Sequence, residues 1–198
     1  MTPFRRICVY AGSAPGASPV YVAAATELAA AIVRRGAGIV YGGGSVGMMG
    51  AVADAALAAG GDVVGVMPRF LEERELRHPG VTDVRVTETM HERKLLMADL
   101  ADAFVVLPGG VGTLEEVVEM LSWSKLGLHR KPIGLLDTAR FWRPLNDLLD
   151  HMIDEEFLGA EHRRLLLADA EADALLGAME SWDAPDIGRR WLRSDQET

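Results

Sequence analysis

The chain has 198 residues, of which 49% are hydrophobic and 21 are glycine, so it is long enough for one domain with a sizeable core. Its net charge of −9 and isoelectric point near 5.0 argue against nucleic-acid and membrane-surface partners, because proteins that bind a phosphate backbone are usually basic. The single cysteine, Cys8, excludes an internal disulfide and a metal site built from thiolates alone.

Short apolar runs alternate with stretches of helical periodicity through the N-terminal half. The first run follows Arg5 and Arg6 and is broken at Gly12, so it predicts a strand rather than a signal peptide or membrane span, and we expect a cytoplasmic protein. The strands predicted here are residues 7–11, 38–41, 63–66 and 81–86. The helices predicted here are residues 21–35, 48–59 and 89–100, and the charged segment 69–80 is expected to form a loop or short helix over a site.

The C-terminal half continues the alternation. Strands are predicted at 103–107 and 133–136, and helices after residue 113, near 142–153 and at 170–179. Strands that alternate with helices predict a single α/β domain of the doubly wound, Rossmann-like class, with a mostly parallel sheet flanked by helices. We expect this nucleotide-binding domain to span residues 1–182, followed by a polar C-terminal tail, 183–198, without clear periodicity.

The stretch LPGGVGTLEE, residues 107–116, lies between a predicted buried strand and a predicted helix. A glycine-rich turn at this point brings bare backbone N–H groups and the positive end of a helix to the same place. A phosphate group fits such a turn, because glycine permits a close approach of the backbone. The turn therefore predicts a phosphate site, and it places an acid, Glu116, at the start of the helix beside it.

A second glycine run, residues 42–47, matches the pattern G-x-G-x-x-G. The dinucleotide interpretation of this pattern also needs an acidic residue at the end of the next strand, and residues 66–68, Val-Met-Pro, supply none. The glycines either permit tight packing of a helix on the sheet or form a wall of the nucleotide pocket. We favour the pocket, because Ser13, Gly43 and Gly110 all follow predicted strands, and open α/β sheets bind ligands at the carboxyl ends of their strands.

Thr113 and Glu116 have a second interpretation. The spacing T-x-x-E is typical of a capping box, in which each side chain binds a backbone N–H group of the other residue. Thr89 and Glu92 have the same spacing. On spacing alone, capping is favoured for both pairs, because helix caps are common.

Four stretches together resemble one family. The motif Pro-Gly-Gly-x-Gly-Thr-x-x-Glu at 108–116 is accompanied by Tyr-Ala-Gly-Ser at 10–13, the glycine run at 41–50 and Met-His-Glu-Arg-Lys at 90–94. In this order they resemble the LOG ("lonely guy") family of cytokinin-activating phosphoribohydrolases, once named lysine decarboxylases. The resemblance spans about residues 5–145, and the one visible departure is Ala11, where the family has cysteine.

The resemblance implies hydrolysis of the N-glycosidic bond of an adenosine 5′-monophosphate, N6-modified or not, to free base and ribose 5-phosphate. It implies Glu116 and Arg93 as catalytic residues, with Arg93 holding Glu116 ionised. It also implies a homodimer, and no metal or redox cofactor. The substrate-binding residues implied by the motifs and the resemblance are Ser13, Gly43, Glu75, Met90, Lys94, Gly109, Gly110, Val111, Gly112, Thr113 and Ser122.

Two other functions stay open at this point. The same scaffold could carry a nucleotide or the molybdenum cofactor without turnover. Lysine decarboxylation normally needs a pyridoxal Schiff base, and the lysines of the chain, Lys94, Lys125 and Lys131, lie in no motif for it. The histidines show no metal-ligand spacing, so no metal site is predicted.

Overall fold

The computed structural model describes residues 2–72 and 77–185. The strands are β1 Arg6–Tyr10, β2 Gly38–Tyr41, β3 Val63–Pro68, β4 Asp83–Thr87, β5 Ala103–Val106, β6 Ile133–Leu136 and β7 Leu166–Asp169. The α-helices are α1 Pro19–Arg34, α2 Gly47–Ala58, α3 Arg69–Glu72, α4 Met90–Leu100, α5 Val111–Lys125, α6 Arg143–Asp154 and α7 Ala172–Glu180. Short 3₁₀ turns lie at Thr138–Arg140 and Ala160–Leu165.

The strands form one sheet in the order β4-β3-β2-β1-β5-β6-β7, and every pairing between them is parallel. In the central strand, Ile7 lies opposite Ile39 on one side and Ala103 on the other. The strand order reverses between β1 and β5, and such a switch point is where open α/β sheets bind ligands. The predicted single α/β domain with a parallel sheet is confirmed.

Helices cover both faces of the sheet, which explains why the central strands read as continuous apolar runs. Ile7 and Val9 point into a core shared with α1, α2 and α7, whereas Cys8 and Tyr10 point into a second core shared with α4, α5 and α6. The crossover from β4 to β5 therefore carries α4 to the same face as α5. This placement brings residues from α4 and α5 next to each other above β1.

The loops after β1 and β2 are in direct contact. Gly47 has a φ of +62°, and a Cβ atom there would lie 2.2 Å from the carbonyl oxygen of Ser13. The backbone N–H of Met49 donates to the Gly12 carbonyl at 3.3 Å. Because the obstructing atoms are backbone, only glycine fits at position 47, and the two loops form one fixed rim at the carboxyl end of the sheet.

The first turn of α4 confirms the capping interpretation of Thr89 and Glu92. The Thr89 hydroxyl accepts from the Glu92 N–H at 3.1 Å, and Thr89 is the N-cap residue. The Glu92 carboxylate accepts from the N–H of Glu88 at 2.9 Å, one residue earlier than the pattern predicts. This cap fixes the start of the helix that carries Arg93.

Several parts of the chain differ from the prediction or lie outside the described residues. The edge strand β7 was not predicted, and predicted helix ends differ from the observed ends by one or two residues. Of the predicted tail, residues 183–185 are described, and the Ala184 carbonyl accepts from Arg130 at 3.3 Å. The rest of the tail, 186–198, and Glu75 lie outside the described residues. Among the described helices, none combines the length and apolar character needed to cross a membrane.

Candidate active site

A cavity of about 330 Å³ lies at the carboxyl ends of β1 and β2, between α4 and the start of α5. Eight of the residues predicted from the sequence line it together: Ser13, Met90, Arg93, Gly110, Val111, Gly112, Thr113 and Glu116. The fold thus brings together residues from loops and helices that are up to about a hundred residues apart in the chain.

A buried ion pair forms the floor of the cavity. Arg93 Nη1 donates to Glu116 Oε1 at 3.2 Å, and both residues are only 8% exposed. Arg93 Nε donates to the carbonyl of Val66 at 3.0 Å, so the guanidinium is held at two points. Gly42 makes room for it, because a Cβ atom there would lie 2.2 Å from Arg93 Nη2. The arginine is therefore fixed in one orientation against the carboxylate.

Burial raises the pKa of the Glu116 carboxyl from its ordinary 4.5 to about 7, although the charge of Arg93 lowers it. The negative charge of Glu115 raises this pKa further, and Lys94 lowers it. Arg93 thus favours the ionised form of Glu116, but desolvation of the buried carboxylate outweighs this attraction. A carboxyl whose pKa lies near neutral pH can both accept and release a proton, which is what acid–base catalysis requires.

The N-terminus of α5 points into the same cavity. Gly110 is its N-cap residue, and within the described residues no side chain caps this end of the helix. The N–H groups of Val111, Gly112 and Thr113 belong to the first turn, where a helix offers no backbone partner. No heavy atom would lie within 4 Å of a Cβ atom at Gly110 or Gly112, so the space in front of this turn is open. The arrangement suits an anion.

The capping-box interpretation of Thr113 and Glu116 is wrong. Since α5 begins at Val111, Thr113 is its third residue rather than its cap, and Glu116 is its sixth residue rather than its third. Thr113 is buried against Gly109, and Glu116 binds Arg93. Because its carboxylate does not cap the helix, Glu116 can act on a ligand in the cavity.

Four of the predicted substrate-binding residues do not line this cavity. The Lys94 ammonium is held by Glu115 and, at 3.0 Å, by Glu119. Ser122 lies on another side of α5, in an apolar groove against α6. The other two have structural positions: the carbonyl of Gly43 accepts from His78 at 3.0 Å, and a Cβ atom at Gly109 would lie 2.1 Å from Thr113 Oγ1.

Several residues of the cavity wall were not among the predicted site residues. Tyr10 is buried beside Glu116, its hydroxyl has no hydrogen-bond partner in the described part of the chain, and burial raises its pKa. Met49, Met97 and Leu71 supply apolar surface. These side chains look like ordinary core residues in the sequence, because only the fold turns them toward a common space.

A second compartment of about 300 Å³ adjoins the cavity and shares Gly12, Ser13 and Gly110 with it. Tyr21 and Phe141 line this compartment, with ring centroids 6.0 Å apart in an edge-on arrangement. Across residues 2–72 and 77–185, no three histidine, cysteine or acidic residues converge in a way that could hold a metal ion.

Comparison with known proteins gives the family. A family model described as "Possible lysine decarboxylase" matches residues 49–179. A cytokinin riboside 5′-monophosphate phosphoribohydrolase of Oryza sativa subsp. japonica is 45% identical over 189 residues, which are 95% of this chain and 78% of the relative. A protein of the same name from Arabidopsis thaliana is 42% identical over 180 residues, or 91% of this chain and 83% of the relative. The chain belongs to the LOG family.

Solved structures share the fold of this LOG-family chain. The molybdenum cofactor carrier protein of Chlamydomonas reinhardtii has a TM-score of 0.65 and 23% identity, over 87% of this chain and 94% of that one. The molybdenum cofactor binding protein of Rippkaea orientalis has a TM-score of 0.67 and 21% identity, over 89% and 96%. At this level of identity the likeness concerns the Rossmann-like fold alone.

The lysines of this LOG-family chain do not suit the decarboxylase chemistry after which the family model is described. A pyridoxal Schiff base needs a lysine amine in the active site. None of the chain's three lysines lines the cavity: Lys94 is bound by two carboxylates, Lys131 donates to the Ala98 carbonyl at 2.7 Å, and Lys125 lies in the groove near α6. The hydrolase relatives agree better with the site.

Proposed function

We propose that this LOG-family protein hydrolyses the N-glycosidic bond of adenosine 5′-monophosphate, with or without a substituent on N6, to free base and ribose 5-phosphate. The observation that carries this proposal is the buried Arg93–Glu116 pair in the same cavity as an uncapped helix N-terminus. The ion pair can act on a charge that develops on the sugar, and the helix N-terminus can hold a phosphate. The names of the relatives from rice and Arabidopsis support the same reaction.

The phosphate binds at the start of α5, on the backbone N–H groups of Gly110 to Thr113. These groups and the helix dipole both favour a negative charge, and the open space in front of Gly110 and Gly112 leaves room for one. Ser13 also lines the cavity and offers a hydroxyl. Because the donors are mostly backbone, the phosphate is recognised by the fold rather than by a basic side chain, which agrees with the acidic composition of the chain.

Glu116 acts at the anomeric carbon of the ribose. As the bond from this carbon to the base breaks, its electron pair leaves with the base, and positive charge develops on the carbon and the ring oxygen. The ionised carboxylate stabilises that charge and accepts the proton of the attacking water, whose oxygen bonds to the carbon. One proton, equivalent to the one taken from this water, is taken up by the departing base, so that base and ribose 5-phosphate are the only products. Arg93 holds the carboxylate in place through its bond to Oε1 and limits how far burial raises the pKa of Glu116.

The base lies against the apolar wall that includes Met90, Met97 and Leu71. Methionine side chains are flexible and polarisable, so they adapt to planar rings of different substitution.

The direct test is release of base from AMP, followed by chromatography. We expect wild-type protein to release adenine, and Glu116→Gln to lower kcat by about two to four decades while the protein stays folded. Adenosine should be a poorer substrate by several decades in kcat/KM, since each hydrogen bond to a charged phosphate contributes about 1.5–3 kcal/mol. Binding of AMP without turnover would instead favour a carrier function, and equal rates for AMP and adenosine would contradict the phosphate site.

We also propose that the protein is a homodimer in the cytoplasm, where nucleoside monophosphates are available. Supporting the dimer, α5 and α6 form an apolar groove of about 290 Å³, which is lined in part by Phe157, a residue that is 82% exposed. A second copy of the chain would cover this surface. Leu148→Ser, in the groove, should shift the mass measured by light scattering toward a monomer, and Val20→Ser, on α1, should not.

A further inference from the structure

Behind the catalytic pair lies a second ion cluster between α4 and α5. The Lys94 ammonium binds the carboxylate of Glu115 and, at 3.0 Å, Oε1 of Glu119. The Lys94 side chain is only 5% exposed, whereas those of Glu115 and Glu119 are 53% and 21% exposed. Oε2 of Glu119 is buried and has no partner within the described residues. The lysine is thus held by two carboxylates and does not line the cavity.

The two ion pairs run side by side across the same helix interface. Arg93 and Lys94 are neighbours on α4, and their partners Glu116 and Glu115 are neighbours on α5. Glu115 also lines the cavity, next to the proposed phosphate site. The two basic residues of α4 face three carboxylates of α5, which leaves one net negative charge when all five groups are ionised. Without the lysine, that excess would rise and would lie beside the substrate.

We propose that Lys94 and Glu115 are positioning residues, which set the charge around Glu116 and keep the carboxylate of Glu115 away from the substrate phosphate. This role rests on the proposed function for its effect on catalysis. Lys94 neutralises Glu115 at the cavity wall and ties it to α4. The substrate dianion then meets a wall whose excess negative charge is limited to one, and Glu116 keeps a proton affinity suited to catalysis near neutral pH.

The structure predicts opposite effects for the two residues. The charge of Glu115 raises the pKa of Glu116 and that of Lys94 lowers it, so removal of either one unbalances the other. The other groups that face Glu116 are Arg93, from α4, and two side chains of β1, Cys8 and Tyr10. Burial raises the pKa of the Cys8 thiol and of the Tyr10 hydroxyl, so both stay neutral over the working pH range.

The test measures the pKa of Glu116 directly, by ¹³C NMR of labelled carboxyl groups, with its signal assigned from Glu116→Gln. We expect Lys94→Met to raise this pKa by about one unit and Glu115→Gln to lower it, because a close opposite charge shifts a carboxyl pKa by about one to three units. The double variant should return toward the wild-type value. Lys125→Met, which removes an exposed lysine of α5, is the matched control and should leave the value unchanged.

The same variants are assayed with AMP. Lys94→Met should raise KM by about tenfold through repulsion between Glu115 and the phosphate, and the added Glu115→Gln change should restore it. A raised KM with an unmoved Glu116 pKa and no rescue would show that Lys94 contacts substrate itself, and would overturn the proposal. If Lys94→Met does not fold, the Glu115→Gln variant is tested by itself. An unchanged pKa of Glu116 in that variant would overturn the proposal. Wild-type protein without AMP hydrolysis would refute the proposed function, whereas the NMR shifts would still test the charge arrangement.

Discussion

Replacing Glu116 with glutamine is expected to change how the stability of the protein depends on pH. In the folded state the pKa of this carboxyl is raised from 4.5 to about 7 by burial. The folded protein therefore holds the proton more tightly than the unfolded chain does. The stabilisation from this proton is complete below the unfolded pKa and is lost as the pH rises through the folded value. Glutamine does not titrate, so the stability of the variant should not fall with rising pH for this reason.

The size of the effect follows from the two pKa values of Glu116, 4.5 and about 7. Each unit of difference is worth about 1.4 kcal/mol, which gives a limit of about 3.5 kcal/mol. From about pH 5 to about pH 8, the wild-type free energy of unfolding should fall by roughly 2–3 kcal/mol more than that of Glu116→Gln. Urea unfolding, followed by tryptophan fluorescence at a series of pH values, measures both curves. The unpaired Arg93 of the variant adds a constant offset but no slope.

The control for this experiment is Glu27→Gln, on the exposed side of α1, which removes one carboxylate far from the cavity. Its curve should run parallel to that of wild type. If the Glu116→Gln curve is also parallel, the carboxyl is hydrated and titrates as in the unfolded chain. The account of Glu116 as a buried acid–base group would then be refuted, whatever the activity of the variant.

Three further predictions concern the cavity. If ionised Glu116 is the active form, kcat/KM for AMP should rise with pH to a plateau, with a midpoint near 7, and a profile without this rise would contradict the assignment. Gly42→Ala should lower kcat by about two decades or more, because its Cβ atom would lie 2.2 Å from Arg93 Nη2. The control is Gly177→Ala, whose Cβ atom would have no heavy atom within 4 Å, and it should keep wild-type activity. Gly110→Ala should raise KM for AMP about tenfold or more, since its Cβ atom enters space that only ligand would occupy. The melting temperature should stay within a few degrees of wild type. An unchanged KM would place the phosphate elsewhere.

Much of the fold could be predicted because the central strands are buried on both faces. The strands β2 and β6 were predicted to the residue, since a fully covered parallel strand is a short apolar run between turns. The edge strand β7 was missed, because only its first residue, Leu166, is buried, and its sequence is not a continuous apolar run. The 3₁₀ turn after β6 contains Ala139 and Arg140 with φ values of 54° and 60°. Neither residue type signals a left-handed conformation in a sequence.

The candidate site was predictable where it depends on local pattern and not where it depends on rotation or long-range packing. The glycine turn of residues 109–113 can be recognised from the neighbouring strand and helix. Ser122, six residues after Glu116, is rotated by about 240° around the helix and faces another surface. Only the crossover that brings α4 beside α5 decides that Arg93 meets Glu116 while Lys94 meets Glu115.

The contact between Gly47 and the Ser13 carbonyl has a consequence for how this active site can change in evolution. A side chain at position 47 would collide with backbone, which no change of rotamer in a neighbour can relieve. Substitution of Gly47 by any residue with a side chain is therefore excluded. The apolar part of the cavity lining includes the side chains of Met49, Met90 and Met97, which can be exchanged for other apolar groups at small cost. A lineage can thus acquire a new base preference by single steps while the glycosidic chemistry stays untouched.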